Sequence, residues 1–234
     1  MKKIKIIGLI LILTLLISII IFSCHKYQEN KEQLRSVKEA QEQNYLFTHD
    51  VINSLIYMEK AFKPKEIKDF IEEDAEYQFL KKVYNKKEDL LDAKNKMEQW
   101  NNSENIKINE IANDMLDGIN DFIASTEAII RVAEGNAIPV NQDLATFQVK
   151  LDKGAEKIII ASIMIDSNFS LSDVQKIELI FYINTNFKEA MEEWTNQEVM
   201  AVEPIMQAPA AAAMLIKGSL EGVGTDWDKI EEGF

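Results

Sequence analysis

Large apolar residues recur at steps of three and four through the middle of this chain, and a period of that length constrains it to helices. Ile108, Ile111, Met115, Ile119, Phe122 and Ile130 fall on one face of a stretch running from about Ile106 to Glu134. Leu144, Phe147, Leu151, Ala155, Ile158, Ala161 and Ile165 repeat the spacing from about Asn141 to Asp166. A strand would need alternation at every second residue, which is nearly absent. The whole chain holds 8 glycines and 4 prolines among 234 residues, too few breaks for many short strands and turns.

The breaks that do occur divide the apolar pattern into five helical stretches. The first runs from about Glu32 to Phe62, and Pro64 sits where a first-turn proline opens a second, reaching about Trp100. Asn101, Asn102 and Ser103 interrupt before the third, and Gly135, Asn136 and Pro139 stop it. In the fourth, the run Ile158 to Ile165 is apolar nearly all round, as suits the most buried helix of a bundle. Ser170 or Ser172 caps the fifth, with Asp173 or Gln175 completing a capping box. Its expected seam is Ile177, Ile180, Asn184, Phe187, Met191 and Trp194, in which Asn184 would set helix register as a buried amide. Ile119 and Phe181 are both read as core. The fold class expected is therefore all-α, an antiparallel bundle of four to five helices over residues 44–200.

Two flanking regions read differently. Residues 25–43 are polar, with Tyr27, Leu34 and Val37 as their few apolar side chains, and read as a tether turning into the first helix. Gln41, Asn44 and Thr48 then occupy stripe positions, which predicts that this part of the helix projects beyond the core. After Met200, Pro204, Pro209, the run Ala210 to Ala213 and then Gly218, Gly222 and Gly224 predict an arm over 201–234. Trp227, Ile230 and Phe234 in that arm are candidate contacts for a partner or for the chain's own bundle.

The N-terminus carries Lys2, Lys3 and Lys5 and then an uncharged run from Ile6 to Cys24, the order of a secretory signal. The run closes on Ile21-Phe22-Ser23-Cys24, where Cys24 is the one cysteine of the chain. This ending resembles the lipobox of bacterial lipoprotein precursors. Ile21, Ser23 and Cys24 match its aliphatic, small and cysteine positions, and Phe22 is bulkier than the usual occupant. The resemblance implies cleavage after residue 23, lipid such as palmitate on Cys24, and a mature chain held at a cell membrane on its extracytoplasmic side. An uncleaved transmembrane anchor is the alternative, because the run is close to the roughly 20 apolar residues that span a bilayer.

Charge narrows the partners. The chain carries a formal charge of −13, and loss of three lysines with the signal makes the mature chain more acidic still. Such a surface repels phosphate backbones, which argues against nucleic acid, and lacks a basic patch for anionic lipid. The lipid would be the membrane contact, and a protein at the cell envelope the expected partner.

The residue inventory is poor in catalytic groups. Histidine occurs at His25 and His49 alone, too few for a zinc cluster, and Leu46 stands where a Glu-x-x-His pair would need its acid. No Gly-x-Ser-x-Gly elbow and no phosphate-cradling glycine loop is present. Glu72, Glu73, Asp74 and Glu76 read as a solvated helix face. The chain is thus expected to have no catalytic residue, no metal and no cofactor, and to act as a binding or adhesion module. A structural subunit of an envelope complex, or an accessory sensor, is the alternative, and an enzyme ranks last.

Overall fold

The computed structural model describes residues 2–62, 75–134, 140–165, 169–190 and 207–222, with side chains described from His25 onward except 62, 75–84, 133, 140, 141 and 144. The helices are α1 (Lys2–Phe62), α2 (Ala75–Glu98), α3 (Ile106–Ala133), α4 (Val140–Ile163), α5 (Asp173–Asn186) and α6 (Ala208–Glu221), and no strand occurs among the described residues. The protein is all-α. It divides into two compact units, residues 1–43 and 44–234.

In the first unit the polar stretch expected as a tether is helical, because it is rich in good helix formers and free of glycine and proline. His25–Glu29 at 3.2 Å and Arg35–Glu39 at 2.8 Å add pairs one turn apart. Every side chain from His25 to Ala40 is exposed, Tyr27, Leu34 and Val37 included.

The second unit is a helical bundle in which α3 and α4 make an extensive contact; α3 also packs on α2, and α6 on α4 and α5. Gly118 and Gly154 bring the α3 and α4 backbones together. A Cβ on Gly154 would lie 2.6 Å from a ring carbon of Phe122 and 3.0 Å from the Gly118 carbonyl; one on Gly118 would lie 2.9 Å from Ile158 and 3.0 Å from the Gly154 carbonyl. Neither position has room for a side chain. Around that contact Ile111, Met115, Ile119 and Phe122 of α3 interleave in one core with Leu151, Ala155 and Ile158 of α4. Ile160 is 45% exposed, so the run Ile158 to Ile165 has a solvent side that its composition hid.

From Asn44 onward, the part of α1 expected to project beyond the core enters it. Asn44 and Thr48 are buried beside Phe47 and Val51, and Gln41 is half-buried. Burial is offset in part by hydrogen bonds: Asn44 Nδ2 donates to the Ser170 carbonyl at 3.1 Å and Thr48 Oγ1 to the Asn44 carbonyl at 2.8 Å, while Asn44 Oδ1 is buried without a partner. Ser54 Oγ likewise reaches the Ala93 carbonyl of α2 at 3.1 Å.

The largest correction concerns the C-terminal arm. Residues 208–221 form α6, and Ala208, Ala210, Ala212, Ala213, Ile216 and Leu220 belong to the core. The local chemistry explains why. Pro209 sits in the first turn, where its missing N–H costs nothing; alanine has the highest helix propensity; and Gly222, at φ 72°, closes the helix in a left-handed conformation. The bundle therefore extends past residue 200. Trp227, Ile230 and Phe234 lie outside the described residues, as do Cys24's side chain, Met191, Trp194, and the acids at 72–74 with the side chain of Glu76.

Two glycine substitutions separate close approach from mere flexibility. Gly154→Ala should destabilise by about 1–3 kcal/mol through overpacking against Phe122. Gly218→Ala, with nothing within 4 Å of the added carbon inside α6, should stabilise by about 0.5–1 kcal/mol. Urea denaturation of both reads the signs; a neutral Gly154→Ala would contradict the backbone contact.

Candidate functional site

The helix α5 begins with the expected capping box. Ser172 Oγ accepts the Gln175 N–H at 3.3 Å, and the Gln175 side chain accepts the Ser172 N–H at 2.9 Å, fixing the first turn. From there its faces diverge. Leu179, Ile183 and Phe187 are buried, whereas Val174 is 65%, Ile177 66% and Phe181 71% exposed. The expected seam is thus rotated: Ile177 faces solvent, Ile180 and Asn184 are half-buried at the edge, and of its described members only Phe187 is in the core.

Val174, Ile177 and Phe181 step by three and then four, so they form one outward stripe. Asp173 and Glu178, both exposed, flank it, one to each side at about 100° per residue. Three adjacent large apolar side chains at this exposure are unusual on a soluble surface and mark a contact surface more often than isolated ones do.

Between the two faces α5 is held to α1 by a polar-aromatic contact. Tyr182 stacks on His49 at 4.8 Å and 21°, and its hydroxyl donates to Asn53 Oδ1 at 2.7 Å. Asn53 Nδ2 in turn lies 3.0 Å from His49 Nδ1. Burial raises the Tyr182 phenol above its ordinary 10.0, followed by the nearby Tyr57. The acid next to His49 in sequence, Asp50, turns away and accepts from Gln99 Nε2 at 2.7 Å and Trp100 Nε1 at 3.0 Å. His49 therefore has the role of a stacking and anchoring residue.

A second charged cluster lies between α3 and α4. Asp121, buried, accepts from Lys150 at 2.7 Å and from Lys157 at 3.1 Å, and Lys157 also reaches Asp117 at 3.5 Å. Burial alone would lift the Asp121 carboxyl; the lysine hydrogen bonds outweigh it and hold the group below its ordinary 3.8. Burial likewise opposes the Lys157 ammonium, and its carboxylate partners outweigh that, raising it above 10.5. Asp114 goes the other way, lifted by burial and then by Asp117. No group of three or more His, Cys, Asp or Glu among the described residues is placed to hold a metal ion. These lysine-answered carboxylates join two helices.

Among the described residues no helix is long and apolar enough to cross a membrane. Comparison with protein-family models, curated proteins and solved structures finds no match to this chain, so the functional reading rests on its own residues.

The two perturbed carboxylates predict opposite pH behaviour. Asp121→Asn should cost about 1–3 kcal/mol at neutral pH, a difference that fades as pH falls below 3.8, because a depressed carboxyl stabilises only while ionised. Asp114→Asn should raise stability slightly at neutral pH, and the gain should be gone below 3.8, because a raised carboxyl destabilises only while ionised. Urea midpoints across the acid range measure both; equal midpoints for Asp121→Asn and wild type at neutral pH would contradict the cluster's role.

Proposed function

We propose that this chain is an extracytoplasmic lipoprotein, held to a cell membrane by lipid on Cys24, which acts by binding another protein and performs no covalent chemistry. The address rests on Ile21-Phe22-Ser23-Cys24 at the end of an uncharged run behind three lysines. The binding role rests on one observation, the outward stripe of Val174, Ile177 and Phe181 on a helix whose opposite face is already buried. An apolar stripe at helical spacing is the recognition mode in which helices lie against one another.

This moves the proposed contact from Trp227, Ile230 and Phe234 to α5. The acidic composition fits the same reading, since like charge keeps such a surface from collecting nucleic acid while leaving the apolar stripe for a selected partner.

Metabolic labelling with a fatty acid should mark the wild-type chain and not Cys24→Ser. Label retained by the mutant would sink the lipid assignment, and an unlabelled full-length wild type would make the N-terminal run an uncleaved anchor.

A further inference from the structure

We infer that the α5 stripe docks an amphipathic helix of a partner protein whose own apolar stripe is flanked by lysine or arginine. This rests on the binding role proposed above and adds the partner's chemistry.

The argument is one of charge at the edges of the contact. When two helices pack through apolar stripes, the residues beside the stripes meet those of the partner, and their sign decides which helices pair. Here both flanks are acidic, Asp173 on one side and Glu178 on the other, and both are exposed. The half-buried Lys176 lies on the side of α5 away from the stripe. The exposed Lys188 lies beyond the end of α5 at Asn186.

The same criterion rejects the occupants that this part of the chain could itself supply. A second copy of α5 would bring its own Asp173 and Glu178 against the first pair. The C-terminal residues Trp227, Ile230 and Phe234 have the right spacing, but Asp226 and Glu231 stand at the positions that Asp173 and Glu178 hold on α5. Like charges on both flanks oppose either pairing. An anionic lipid surface meets the same repulsion. A helix with basic flanks satisfies both the apolar contact and the charges.

The test uses the full chain in phosphatidylcholine nanodiscs, with empty discs as the blank, and two labelled synthetic helical peptides. Both carry leucines at i, i+3 and i+7; one has lysines and the other glutamates beside them. Fluorescence anisotropy should show the lysine peptide binding at least about tenfold tighter, a difference near 1.4 kcal/mol. Asp173→Lys with Glu178→Lys should reverse the order, and Phe181→Ser should weaken both. All three substitutions are at exposed positions, and the melting temperature confirms that each variant folds. Lysine-peptide binding that survives Phe181→Ser would be non-specific charge attraction and overturns the inference. So does self-association of the peptide-free chain that Phe181→Ser dissolves, which assigns the face to a second copy, and binding that appears only after residues 225–234 are removed, which assigns it to the C-terminal segment. Preference of the wild type for the glutamate peptide overturns the basic partner and leaves the binding role standing; failure of both peptides overturns both.

Discussion

Backbone contact between α3 and α4 at Gly118 and Gly154 is the constraint on which the rest of the bundle depends. With carbonyls and prospective side-chain positions about 3 Å apart, the two helices have one way to pass each other, and Phe122 and Ile158 fill the space beside the glycines. The Asp121 ion pairs with Lys150 and Lys157 join the same two helices, and Arg131 to Asp143 at 2.6 Å adds a further link. Once that pair is set, α2 has one face of α3 to cover, and α6 lies against α4.

The alanines of α6 follow from this arrangement. A helix that packs on both α4 and α5 is helped by small residues on its inner side, and Ala208, Ala210, Ala212 and Ala213 provide them, with Ile216 and Leu220 joining the core farther along. In sequence these alanines look like an arm because they lack the bulk that marks an apolar stripe. Their helix grammar was nevertheless legible: proline in the first turn, an alanine run, and glycine just past the end.

Other parts of the structure were legible to different depths. The long stripes of α3 and α4 and the Ser172–Gln175 capping box are strong local signals; α3 and α4 begin and end close to where the stripes put them, and α5 begins at its capping box but ends at Asn186, short of the expected seam through Trp194. The facing of α5 was not legible. That helix carries apolar residues on two sides, Val174, Ile177 and Phe181 on one and Leu179, Ile183 and Phe187 on the other, so periodicity identifies a helix without saying which side is inward. The choice is made by tertiary contacts, with α6 and with Tyr182 against His49 and Asn53. Asn44 and Thr48 were misjudged for a related reason: their burial is set by tertiary packing, and the Asn44 bond to Ser170, far along the chain, has no local signature.

The candidate site exists because of this rotation. If Ile177 and Phe181 faced inward, α5 would be an ordinary bundle helix; as they face outward between Asp173 and Glu178, α5 covers the core with one face and presents the other. Thermal denaturation of Ile119→Asp and Phe181→Asp tests that most directly, since Ile119 is fully buried and Phe181 is 71% exposed. A charge forced into the α3–α4 core should abolish cooperative melting in Ile119→Asp, while Phe181→Asp should melt within a few degrees of wild type. Loss of cooperativity in both would place Phe181 in the core and contradict the account.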